Sequence, residues 1–151
     1  MLTASHNRVS EHTCESVNEE IRDAMERRLM HYRHASKDQI TDRLGELEEE
    51  WDIERVLETN AATLACSGCL LTALVDRKWV LLPLAVTGFL LQHALQGWCP
   101  PLPILRRMGF RTQQEIDEER HALKWMRGDF SELTQSDTQP AISTMMHAIR
   151  R

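Results

Sequence analysis

The residues best able to do chemistry in this chain are two cysteines one helical turn apart, in Cys66-Ser67-Gly68-Cys69. Positions i and i+3 share a helix face, so both sulfurs would point the same way. Such a pair can cycle between dithiol and disulfide where an electropositive setting favours the thiolate. It can equally be two small apolar side chains that ease helix packing, and the sequence leaves both readings open. The thiol of Cys99 and the imidazole of His93 belong to the same question. If the chain folds back on itself near residue 77, Cys66 faces about residue 90 and His93 lies about one turn away. Cys99 then falls near the level of residue 55, roughly 20 Å from Cys69 at the rise of an α-helix. A structural zinc site needs four ligands, and that separation argues against one. The expectation is no metal and no cofactor, with Cys66, Cys69 and Cys99 as candidate redox thiols and His93 as their accessory.

Other clusters are weaker. Glu118-Glu119-Arg120-His121 contains one Glu-x-x-His. Di-iron carboxylate bundles use that spacing twice and add two further glutamates, so a solvated helix face is the simpler reading. Glu46, Glu48, Glu49 and Glu50 follow no calcium-loop spacing. His31 and His34 share a helix face, but two ligands do not make a site. Arg127-Gly128-Asp129 reads as a helix C-cap. There is no phosphate loop, dinucleotide fingerprint or hydrolase elbow. No catalytic residue is assigned, and a non-enzymatic role is favoured.

The elements that would carry these residues are helical throughout. At 151 residues the chain is long enough for one domain. A formal net charge of -5 argues against nucleic acid as a partner. Met1-Leu2-Thr3-Ala4-Ser5-His6 lacks the basic-then-apolar start of a secretory signal. Four unevenly spaced cysteines do not make a disulfide framework, so a reducing, intracellular setting is expected. Residues 1–14 are polar and expected to be loose. Residues 15–58 form an amphipathic region. Val17, Ile21, Met25 and Leu29 make one stripe and Ile40, Leu44, Leu47 and Trp51 a second, behind a Ser36–Gln39 capping box. With no Pro or Gly between the charged run 48–58 and the uncharged stretch that begins at Thr59, one helix is expected to run on into the apolar part. Residues 112–128 form a further helix capped by Thr112 and Glu115. Residues 129–151 are a tail in which Pro140 opens a short last helix.

The mean hydropathy of -0.43 hides two apolar arms. Within residues 59–105 only Asp76, Arg77 and Lys78 are charged, so this segment reads as an apolar two-helix hairpin with a polar tip. A bilayer core of about 30 Å takes roughly 17–25 apolar residues per helix. The first arm lies at the lower edge of that range and the second exceeds it. Trp79 and Trp98 bracket the second arm as interfacial indoles would. Arg106 and Arg107, with Arg55 and Arg111, put basic residues on the side of the chain ends. These are the expected membrane anchors, with both termini cytoplasmic.

The stretch "ERVLETNAA", the basic turn, "WVLLPLAVTGFLLQHALQGWCP" and "LRRMGFRT" together resemble the YgaP-like inner-membrane domain, a family of unknown function. The likeness is carried by Asn60, Arg77, Gly97-Trp98-Cys99-Pro100, Leu105 and Gly109, and covers residues 54 to 112. It implies a small two-span protein of the inner membrane, dimeric, acting as an interaction or assembly module. Some members are fused to a rhodanese, so it also implies a sulfur-transfer protein as partner; nothing in this chain resembles the rhodanese itself. Two alternatives stay open: a soluble, cytoplasmic all-α homodimer with the hairpin buried, and a thiol redox or sulfur-handling protein using Cys66 and Cys69.

Overall fold

The computed structural model describes residues 8–131, and among them every regular element is a helix. The all-α class expected from the periodicity is the one observed. In order these are α1 (Arg8–Glu11), α2 (Glu15–Tyr32), α3 (Lys37–Glu49), α4 (Ile53–Leu74), a 3-10 turn η1 (Arg77–Val80), α5 (Leu81–Gln96), α6 (Leu102–Arg107) and α7 (Gln113–Arg127). The expected short helix after Pro140 lies outside the described residues.

Helix ends follow from local chemistry. Ser36 Oγ accepts from the backbone N–H of Gln39, and the Gln39 side chain accepts from the N–H of Ser36, starting α3. Thr112 and Glu115 make the same reciprocal pair at the start of α7. Each box satisfies two N–H groups that a helix N-terminus leaves without partners. At the far end of α7, Gly128 takes a φ of 90° and donates to the carbonyls of Lys124 and Trp125.

Two expectations about continuity fail for identifiable reasons. The helix of the second stripe does not run on into the apolar part. Asp52 accepts from the N–H of Arg55 at 2.8 Å and caps a new helix, α4. Trp51 is thereby put in the connection, 43% exposed, with the Arg55 guanidinium 4.3 Å above its ring. Nor is the start of the chain wholly loose. Val9, on the single turn α1, is 3% exposed and sits in a core.

The chain divides into two compact units, where one domain was expected. The described part of the first comprises residues 8–23 and 51–115, that of the second residues 24–50 and 116–131. In the first unit Val9, Ile53, Val56, Leu57, Cys99, Leu102 and Leu105 form the core, with Phe110 against it. In the second, Ile40, Leu44, Leu47, Ile116 and Leu123 do so, flanked by Leu29, Tyr32 and Ala35.

Within the first unit α4 and α5 pack on one another through η1. Gly68 marks the close approach: a Cβ there would lie 2.5 Å from Cδ of Pro83 and 3.3 Å from Leu82. The uncharged run does not continue as one arm to Leu105. Gly97, at φ 79°, ends α5, and the prolines lead into α6, whose Leu102 and Leu105 belong to the core.

Candidate functional site

A polar cluster at the base of α4 and α5 joins three distant parts of the first unit. Glu54 lies in the first turn of α4, where the helix dipole favours a carboxylate. Its Oε2 is 2.8 Å from Nε2 of His93, in the last turn of α5. Its Oε1 accepts from Arg8 Nη2 at 3.0 Å. Arg8 also donates from Nη1 to the carbonyl of Ala94 at 3.1 Å, one of the carbonyls that the end of α5 leaves over. Gly97 allows this approach. A Cβ on it would meet Arg8 Cβ at 2.6 Å and the Arg8 carbonyl oxygen at 2.7 Å. The hydrogen bond to His93, with that from Arg8, outweighs burial and holds the Glu54 carboxyl below the usual carboxylate range.

The His93 side chain is 4% exposed, and its Nδ1 has no hydrogen-bond partner. The ring borders a cavity of about 420 Å³ whose wall includes Leu57, Ala61, Leu64, Phe89, Leu90 and Cys99. Cys99 is 4% exposed and interacts with the imidazole. The arrangement holds the imidazole between Glu54, at Nε2, and Cys99, with the ring in the cavity wall.

The other expected thiols lie elsewhere. Cys66 and Cys69 are exposed on α4 and not joined in a disulfide. The level of His93 is set by Glu54, twelve residues before Cys66, about 18 Å along α4. Simple counting from the turn put His93 within one turn of Cys66; the structure puts it beside Cys99. Cys99 itself packs with Ile53, Val56 and Leu57, close to the level that counting assigned.

The expected anchors divide. Trp79, Trp98 and Arg107 are exposed. Arg106 is 1% exposed and faces no solvent or headgroup. It donates to both oxygens of Glu115 at 2.8 Å, to Asn18 Oδ1 at 3.0 Å and to the Phe110 carbonyl at 3.1 Å. Burial pushes the Glu115 carboxyl up, but the hydrogen bonds from Arg106 and Thr112 leave it below the usual range.

Two groups escaped the sequence reading. Glu119, in the second unit, is fully buried and accepts from Arg28 at 3.0 Å and Arg43 at 3.0 Å through their Nη2 atoms. Its neighbours Glu118 and His121 are exposed, as a solvated face requires. The signal was its phase: Glu119 falls three residues after Ile116 and four before Leu123, on the core stripe. Cys14 is the other. Its thiol lies 3.3 Å from Ser16 Oγ at the entrance to α2. That hydrogen bond, with backbone N–H groups and the charge of Arg107, lowers its pKa. Among the described residues no three His, Cys, Asp or Glu side chains group as metal ligands.

Comparison with protein-family models, curated proteins and solved structures finds no match to this chain. The likeness to the YgaP-like domain therefore stands on the quoted residues alone.

Proposed function

We propose that α4, η1 and α5 enter a membrane as a two-span hairpin, and that the helices outside it act as an interaction or assembly module. The observation that carries this reading is the surface of α5. Residues Arg77–Gln96 are long and apolar enough to cross a bilayer, by length and composition. Leu81, Leu84, Leu91 and Leu95 are 66%, 66%, 62% and 59% exposed. A helix apolar all round has to be covered all round, by protein or by lipid.

Dimensions agree. From Glu58 to Asp76, and from Trp79 to Gln96, the rise is about 26 Å, a few Å short of a typical hydrocarbon core. Thinning of the bilayer absorbs such a mismatch at modest cost. The hydroxyls of Thr63, Ser67, Thr72 and Thr87 each donate to the carbonyl four residues earlier, at 2.7 to 2.8 Å. That arrangement leaves little polarity to face lipid. Asp76, Arg77 and Lys78 form the polar tip, and Arg55, Arg106, Arg107 and Arg111 give the base the larger number of basic residues. By the positive-inside tendency both chain ends face the cytoplasm. A Cβ on Gly88 would meet nothing within 4 Å, which leaves room for a second hairpin to pack there as a dimer.

A soluble homodimer would cover one side of such a pair and leave the other wet. The sulfur-handling reading has less support, because no basic side chain lies between Thr59 and Val75 to activate Cys66 or Cys69. The test is membrane fractionation of the expressed full-length chain with an alkaline carbonate wash. The protein is expected in the washed pellet and to leave it only with detergent. Recovery in the supernatant overturns the reading.

A further inference from the structure

The second unit carries a cleft of a different kind. Ala24, Arg27, Arg28 and His31 stand at i, i+3, i+4 and i+7 of α2, on one face of that helix. With Tyr32, and with Arg43 of α3, they line a cleft of about 420 Å³. Its wall presents three guanidinium groups, an imidazole and a phenol, and none of its residues is acidic. We infer that this cleft binds a phosphate monoester, with Arg27, Arg28 and Arg43 on the phosphate oxygens.

Two of the guanidiniums are set in place by the fold. Buried Glu119 accepts from Nε and Nη2 of both Arg28 and Arg43. A carboxylate buried so deeply requires such partners, and folding thereby orders two long side chains. Rotamer freedom removed on folding is not lost again on binding. Nη1 of Arg28 keeps its donors, and among the described residues Arg27 has neither hydrogen bond nor ion pair. Glu46 accepts from Nη1 of Arg43 at 2.8 Å, but its side chain is 65% exposed, and pairs so open to water count for little. One buried carboxylate against three guanidiniums leaves the cleft positive.

Positive charge selects an anion, and the donors select its shape. A carboxylate has two oxygens in one plane, which a single guanidinium fork engages. Here the donors come from three side chains on two helices. A phosphate monoester brings three strong acceptor oxygens and a charge of about −1.5 to −2 at pH 7. A diester has two free oxygens and one charge. The volume lies at the small end of the range for ligand pockets, enough for the phosphate and a small group esterified to it. The Tyr32 hydroxyl is one more donor in the wall.

The inference is independent of the membrane reading, since every residue it uses belongs to the second unit. The full-length protein in detergent is titrated with glycerol 3-phosphate by isothermal titration calorimetry, and saturable binding is expected. Arg27→Gln removes a side chain that no described residue holds, so the fold should survive and affinity should fall about tenfold or more. Arg22→Gln, at an exposed arginine of the same helix outside the cleft, should leave affinity unchanged. Acetate and dimethyl phosphate should each bind about tenfold more weakly or worse. A second titration with dioctanoyl phosphatidic acid assigns the source of the phosphate. Binding at least about tenfold tighter than glycerol 3-phosphate supports the site with a lipid headgroup as its ligand, and equal binding supports it with a soluble ester. Absence of saturable heat from both esters overturns the inference. So does an Arg27→Gln protein that binds like the wild type, or equal binding of dimethyl phosphate or acetate.

Discussion

Helices α5 and α7 are almost the same length, 16 and 15 residues, and are organised in opposite ways. In α7 the apolar side chains Ile116 and Leu123 fall in one stripe and are 1% and 0% exposed. Most of the other positions are polar, with Trp125 and Met126 exposed near the C-terminal end, so the pattern of the first three turns says which side is inside. In α5 there is no such pattern. Only His93 is buried, and the outward face is lined by leucines, Leu81, Leu84, Leu91 and Leu95. Amphipathicity tells a helix where its protein core is; a uniformly apolar helix tells only that water is not its solvent.

Leucine-to-alanine changes should break the comparison most clearly. Leu123→Ala removes a fully buried side chain and is expected to cost about 2–5 kcal/mol through lost burial and a residual cavity. Leu91→Ala, on a residue 62% exposed, is expected to stay within about 0.5 kcal/mol. Unfolding of both variants in the same detergent measures the difference. Equal losses would mean that α5 is buried in an assembly after all.

Leu91→Arg asks what covers α5. A charge near the middle of a spanning helix costs roughly 2.5–3.5 kcal/mol on insertion scales. The variant should move measurably from the carbonate-washed pellet to the soluble fraction. Arginine on the solvated face of α7, as in His121→Arg, should leave the distribution unchanged. A pellet fraction insensitive to Leu91→Arg would remove lipid as the cover.

Gly68 and Gly88 sharpen the contrast within the hairpin. Alanine at Gly68 would press on the Pro83 ring at 2.5 Å, and overpacking of this kind costs typically about 1–3 kcal/mol. Alanine at Gly88 meets nothing. Thermal unfolding of the two variants should therefore differ in sign, with Gly68→Ala lower in midpoint and Gly88→Ala equal or higher.

The base cluster gives the molecule a pH dependence that Glu54→Gln isolates from the one Glu115 contributes at the start of α7. Because His93 and Arg8 depress the Glu54 pKa below its ordinary value of 4.5, the stability it contributes is complete above that value. It is lost as pH falls through the lower folded-state value. The wild-type unfolding midpoint should fall below pH 4.5 more steeply than that of Glu54→Gln. Parallel curves would show that Glu54 is not paired as described.

Much of the scaffold was legible because its signals are local. The boxes at Ser36 and Thr112 and the Gly128 cap need only residues three or four apart. The break at Asp52 was equally local and was missed, because an aspartate inside a charged run looks like one more solvated residue. The site was half legible. His93 and Cys99 stood out by type, but their partners could not be read. Counting placed the turn at residue 77, whereas α4 ends at Leu74 and the tip is Val75–Asp76, ahead of η1. Gly68 thus meets Leu82 and Pro83 rather than the residues that equal steps assign. Arg8 reaches Glu54 across 46 positions and Ala94 across 86; no periodicity carries that information. Arg106 misled for a related reason, since a basic pair after an apolar run looks the same whether it meets headgroups or, as with Arg106, a glutamate nine residues on.

The smallest expected effect returns to the kind of helix. Gly45 lies in α3, exposed, with nothing within 4 Å of an added Cβ. Glycine in a helix interior costs about 0.5–1 kcal/mol against alanine, because the unfolded chain has more freedom to lose. Gly45→Ala should therefore raise stability by that amount. Gly88→Ala in α5 removes the same backbone freedom, but it also closes the open face against which a second hairpin would pack. If α5 pairs there, Gly88→Ala should fall short of the gain at Gly45 and shift the cross-linked dimer fraction downward. If nothing packs against that face, the two gains should both fall at about 0.5–1 kcal/mol. The difference between two glycines thus reads out whether a second copy of the chain packs on the apolar surface.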